Sequence, residues 1–282
     1  MAKKENIENE EMSFLDHLEE LRWHLIRSTI AVFIVGILAF IGKDFIFDTI
    51  IFGPKNSDFI TYRFFCDISK MLGMDESFCT KELPFRIQSR EMGGQFSAHI
   101  MTSIWAGFIL AFPYILFEIW RFISPGLHEN ERKNSRGFIL IASFLFFLGV
   151  AFGYYVISPL SINFLATYSV SKEVFNDIDL ASYISTIRIS VVSCGLIFEL
   201  PIIIYFLTKI GLVTPEILKK YRKISLVVVL ILAAVITPPD VTSQIIVAIP
   251  ILILYEISIF ISKAVLKKEA RKLKKNTKPK KV

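Results

Sequence analysis

Two glutamates, Glu20 and Glu131, stand at the edges of long apolar runs, and their side chains point to chemistry first. Paired carboxylates at a membrane edge suit a guanidinium ligand, because arginine binds carboxylates through charge-assisted, often bidentate hydrogen bonds. The plainer reading is two solvated surface acids. A third acid, Glu199 in SCGLIFELP, falls near the middle of an apolar run. A carboxyl at that depth costs about 2.5–3.5 kcal/mol against lipid, so it is expected to face protein or water. It reads either as a polar anchor for a partner helix or a moving cargo, or as a protonated acid bonded inside the bundle. Pro201, two residues on, weakens the local helix ladder.

Other candidates carry less. Glu118 and Glu256 lie near the ends of apolar runs, where Arg121 or Lys263 is within pairing reach, or where an acid can sit at the interface. Arg188 reads as a snorkelling anchor. Cys66 and Cys79 share one polar stretch. In an oxidising compartment they can close a small disulfide loop, worth about 3 kcal/mol in the entropic account. Cys194, inside an apolar run, reads as packing. There is no HExxH helix, P-loop or GxSxG elbow, and the four histidines are dispersed. The reading is therefore no catalytic residue, metal site or cofactor, and no nucleic-acid partner.

The elements that position these residues are set by composition. Of 282 residues, 53% are hydrophobic and 26 are phenylalanine. Several runs approach the roughly 20 apolar residues that cross a bilayer. The expected class is an all-α integral membrane protein with six transmembrane helices, at about 22–47, 96–120, 138–157, 183–206, 224–236 and 241–261. Residues 1–21 hold seven acids against Lys3 and Lys4. Ser13 followed by Asp16 reads as a helix N-terminal cap. Phe14, Leu18, Leu21 and Leu25 form an apolar stripe, so the segment is an acidic amphipathic lead-in to the first span. A long polar loop is expected over 48–95, and a basic, disordered tail over 263–282. No cleavable signal peptide is expected.

Topology follows from Lys and Arg near the spans. Segment 121–136 has four, 209–223 has five and the tail has ten; 158–182 has one and 237–243 none. The basic segments face the cytoplasm, and six spans put both termini there. The fifth span has only 13 residues, about 20 Å of helix against a core of roughly 30 Å. Its Thr237-Pro238-Pro239-Asp240 turn is expected to lie below the membrane surface.

At this point the motifs are specific. HLEELR at 17–22, FPYILFEIWRFISPGLHENER at 112–132, FELP at 198–201, TPPDVTSQ at 237–244 and AIPILILYEISIF at 248–260 resemble the TatC family. That family is the multispanning receptor of the twin-arginine protein translocase, and the likeness runs from about residue 13 to 263. The resemblance implies a glove-shaped six-helix bundle in the bacterial inner membrane. It also implies binding of the paired-arginine signal peptides of folded precursors, and export driven by the proton-motive force. Carried over by motif, Glu20 and Glu131 contact the arginine pair, and Arg22, Phe122, Pro125, Leu127 and Arg132 shape the patch around them. Glu199 becomes the intramembrane acid of the concave face. Pro54 and Asp240 match important external positions, and Gln244 lies in the same turn motif. Single-span TatA- and TatB-type proteins are the implied partners, docking on the fifth and sixth spans, with more than one copy of the chain in the receptor complex. The stretch from about Lys55 to Gly93, with its cysteine pair, is longer than the family pattern.

Two other classes stay open from residues alone. A secondary transporter could use Glu199 as a proton relay, but no internal repeat is visible. An intramembrane enzyme lacks a nucleophile–base pair in the spans.

Overall fold

In a computed structural model of the chain, residues 14–71, 73, 79, 83, 85–123, 135–171, 173, 174, 176–237 and 240–276 are described. Helix α1 (Phe14–Ile41) runs without a break from the acidic lead-in into the first span. The chain then winds as a π-helix over Phe45–Ile51, makes one 3₁₀ turn at Gly53–Lys55 and forms α2 (Ile60–Met71). Helices α3 (Gly94–Ile123) and α4 (Ser135–Phe152) follow. A second π turn, Gly153–Ile157, joins α4 to α5 (Ser158–Thr167). The rest is α6 (Leu180–Phe198), α7 (Leu200–Lys209), α8 (Pro215–Lys220), α9 (Arg222–Ile236) and α10 (Val241–Asn276). Among the described residues, five helical stretches are long and apolar enough to cross a membrane: Leu18–Ile41, Gly94–Ile123, Gly137–Thr167, Leu180–Lys209 and Ser243–Lys268. Helix α9, with 15 residues, rises only about 22 Å.

Several segments differ from the sequence expectation. The stretch expected as loop over 48–95 holds α2 and a short strand, β1 (Arg86–Gln88). β1 pairs in parallel with β2 (Asp177–Asp179), register Ile87 to Ile178, the one ladder among the described residues. Ser158 and Pro159, expected in a loop, continue the helical path from the π turn into α5, and the Tyr155 carbonyl, four residues before the proline, accepts from the Thr61 hydroxyl instead. Helix α10 continues to Asn276, into the tail expected to be disordered. Its Ala, Leu, Lys, Glu and Arg residues are strong helix formers, which carries the helix on past the membrane. The Ser13 cap lies outside the described residues.

Packing between spans relies on small residues. A Cβ on Gly107 of α3 would lie 2.5 Å from the Val32 carbonyl oxygen and 2.8 Å from the Gly36 nitrogen of α1. A Cβ on Gly149 of α4 would lie as close to α6, 2.5 Å from the Cys194 oxygen. Lipid supplies no hydrophobic drive between helices, so close backbone approach and van der Waals contact hold them together. Large rings fill the remaining space. Phe112 stacks on the fully buried Phe146, with centroids 3.5 Å apart.

The bundle has two distinct ends. At one, Trp120 of α3 stacks on Phe138 of α4, and both touch Phe206 of α7. Buried Thr208 of α7 bonds Ser262 of α10 at the same end (2.9 Å). At the other, a cap is tied by buried tyrosines. The Tyr62 hydroxyl sits 3.0 Å from both the Pro54 and Pro159 carbonyl oxygens, and Tyr183 donates to Ile51 (3.0 Å). Burial pushes the Tyr62 phenol above its ordinary pKa, so it stays a donor. Cys66 of α2 and Cys79 are joined by a disulfide.

Candidate functional site: the α1–α3 end of the bundle

A buried carboxylate organises the first of these ends. Glu118, one turn from the end of α3, is 1% exposed. Its Oε2 lies 2.5 Å from Nδ1 of His24 on α1 and 3.8 Å from Nη1 of Arg27. Its Oε1 lies 3.4 Å from Nη1 of Arg121. Sequence reading offered Arg121 as a partner but gave the acid an interfacial place. A buried charge has to be paired and hydrogen-bonded, and here the bases come from two helices. The signal was available: His24 and Arg27 sit one turn apart at the same end of the neighbouring span.

His24 does a second thing. Its ring meets the edge of Phe122, with centroids 6.1 Å apart. One histidine thus ties the start of the first span to the last turn of α3. Glu20, exposed, precedes His24 by four residues, so it shares that side of the helix about 6 Å nearer its start. Arg22 is exposed beside it, its guanidinium 5.5 Å over the Trp23 ring. Glu20, Arg22 and Phe122 therefore gather at one end of the α1–α3 pair. Ile123 ends α3 and Ser135 begins α4 at that same end. The chain between them carries Pro125, Leu127, Glu131 and Arg132, all outside the described residues.

Glu199 sits where the fourth span breaks. Helix α6 stops at Phe198 and α7 starts at Leu200, with Pro201 in its first turn. The Glu199 N–H bonds back three residues to Leu196, and the side chain is 6% exposed. Neither carboxyl oxygen has a hydrogen-bond partner among the described residues. Glu256, for which Lys263 was one expected partner, instead pairs with Arg222 across α9 and α10 at 2.6 Å.

The remaining candidates have local structural work. Asp240 caps α10, its Oδ2 accepting from the Ser243 N–H (2.8 Å) and hydroxyl (2.7 Å). Gln244 donates through Nε2 to the Leu230 carbonyl of α9 (3.1 Å). These two residues fix the short α9–α10 hairpin. Pro54 is buried in the cap, its carbonyl beside the Tyr62 hydroxyl. Among the described residues, no group of three or more His, Cys, Asp or Glu side chains is arranged to hold a metal ion.

The comparisons with known proteins agree with one another. A family model described as Sec-independent protein translocase protein (TatC) matches residues 16–250. A Sec-independent protein translocase protein TatC from Blattabacterium sp. subsp. Periplaneta americana (strain BPLAN) is 48% identical over 263 residues, 93% of this chain and 99% of that protein. TatCy from Bacillus subtilis (strain 168) is 35% identical over 260 residues, 92% of this chain and 91% of that protein. A crystal structure of the twin arginine translocase receptor TatC superimposes with a TM-score of 0.67 at 33% identity, covering 89% of this chain and 99% of that chain. The same receptor crystallised in DDM gives a TM-score of 0.68 at 34% identity.

Proposed function

The chain belongs to the TatC family, membrane-embedded components of a protein translocase rather than enzymes, and from that premise we propose that it is the receptor that captures twin-arginine signal peptides. Glu20 and Glu131 take the two guanidinium groups as charge-assisted pairs. Arg22, Phe122, Pro125, Leu127 and Arg132 shape the surface around them. The observation that carries this reading is the His24 tie. It holds the Glu20 turn of α1 against Phe122, at the end of α3 from which the Glu131 segment departs.

In this reading the chain sits in the bacterial inner membrane with both termini and the α1–α3 end in the cytoplasm. The basic counts in 121–136, 209–223 and the tail support that orientation. Single-span TatA- and TatB-type proteins dock on α9 and α10, more than one copy of the chain joins the receptor complex, and the proton-motive force drives export. Glu199, buried and without a bonded partner among the described residues, serves as a polar anchor inside the membrane for a cargo segment or a partner helix. Asp240, Gln244 and Pro54 keep the opposite face in shape.

The test is a photo-crosslinker placed beside the arginine pair of a precursor's signal peptide. Adducts are expected to map to residues 14–24 and 122–132. Adducts confined to the 45–62 end of the bundle would overturn the assignment.

A further inference from the structure

Between α1, α3, α6 and the second π turn lies a groove of about 990 Å³. Its walls are apolar, among them Leu38, Trp105, Ile109, Val150 and Ile187, and Arg188 is the one charged residue lining it. Arg188 stands eight residues past the start of α6, about 12 Å along the helix. Its Nη2 donates to Ser185 Oγ (3.1 Å), and its guanidinium lies 5.4 Å over the Trp105 ring. None of the ion pairs among the described residues includes it. A cation within a span is costly and normally faces a partner or a cavity. A hydroxyl and a ring supply hydrogen bonding and a quadrupole, but no negative charge.

We propose that this groove seats an anionic phospholipid from the leaflet at the cap end of the bundle. The acyl chains lie along the apolar walls, and Arg188 takes the phosphodiester. Arginine is suited to this, since its fork matches phosphate oxygens in paired hydrogen bonds. The volume is at the upper end for ligand pockets, enough for acyl chains with the headgroup at the rim. Tyr155, which lines the groove and is 47% exposed, is a residue type that favours the headgroup level. An apolar peptide helix fits the walls equally well but leaves the guanidinium unneutralised, so charge complementarity favours the lipid.

The test uses the full chain in nanodiscs, with native mass spectrometry counting retained lipid. The unaltered chain is expected to retain phosphatidylglycerol about tenfold more strongly than phosphatidylcholine, and dioleoylglycerol not at all. Tenfold corresponds to about 1.4 kcal/mol, the scale of one charge-assisted contact. Arg188→Gln should lose that preference and Arg188→Lys keep part of it, while Arg63→Gln, at an exposed cation of α2, should change nothing. On the unaltered chain, phosphatidylglycerol should raise the unfolding temperature more than phosphatidylcholine does, which needs no variant to fold. Equal retention of all three lipids, or full phosphatidylglycerol preference in Arg188→Gln, would overturn the proposal. So would crosslinking of a synthetic apolar signal-peptide segment to Leu38 with no phosphatidylglycerol retained.

Discussion

His24 Nδ1 and Glu118 Oε2 lie 2.5 Å apart across the α1–α3 interface. The contact joins a residue one turn past Glu20 to a residue one turn short of the α3 terminus. Arg27 and Arg121 are each close to half exposed, so solvent screens them and the histidine is the main tie. Glu118→Ala should destabilise the chain by about 1–3 kcal/mol, by stranding His24 and removing a charged acceptor. Glu118→Gln keeps an acceptor and should recover most of that. Thermal unfolding in detergent measures both. If the tie positions Glu20, signal-peptide affinity should fall in Glu118→Ala and return in Glu118→Gln.

The same interface depends on Gly107. A methyl group at that position would meet the α1 backbone at 2.5 Å, and backbone cannot rotate away as a flexible side chain can. Gly107→Ala should cost about 1–3 kcal/mol, and Gly107→Leu should part the helices. Thermal unfolding in detergent measures the loss, with Gly107→Leu expected to fall further than Gly107→Ala.

At the opposite face, Asp240 supplies the cap that starts α10. Asp240→Ala should cost about 1 kcal/mol and Asp240→Asn much less, because asparagine caps almost as well. Partner docking on the α9–α10 hairpin is expected to weaken in the same order, measured by co-purification of the single-span proteins.

Much of this was legible in the sequence. Apolar runs gave the all-helical membrane class, five such runs being helices long enough to cross a bilayer among the described residues, and the motifs, those around Glu20 and Glu199 among them, gave the family. What the sequence could not state was pairing across helices. Glu118 reads as an interfacial acid until α1 is laid against α3, because His24, which lies against it, is 94 residues away in the chain. The β1–β2 ladder was hidden for the same reason. Three-residue strands carry no periodicity, and their partner is remote. Helical continuation through Ser158-Pro159 was missed because the span was bounded at Ile157, and the hydroxyl of Thr61 that takes the Tyr155 carbonyl is remote in the chain.

In the proposed function, Glu199 acts in transport and not in capture. It lies within the fourth span at the α6–α7 break, away from the α1–α3 end. Glu199→Ala should leave equilibrium binding of a signal peptide within about twofold of the unaltered chain, a difference of roughly 0.4 kcal/mol, and should abolish export of a folded precursor in membrane vesicles. Loss of initial binding in that variant would show that capture and transport are not separate.

The most direct test is the dissociation constant of a fluorescent twin-arginine signal peptide for the chain in nanodiscs, compared with the Glu20→Ala, Glu131→Ala and double variants. Each lost charge-assisted pair is expected to weaken binding by about 1.5–3 kcal/mol, roughly ten- to a hundredfold apiece, with a peptide carrying two lysines already weak on the unaltered chain. An unchanged dissociation constant in the double variant would contradict the account.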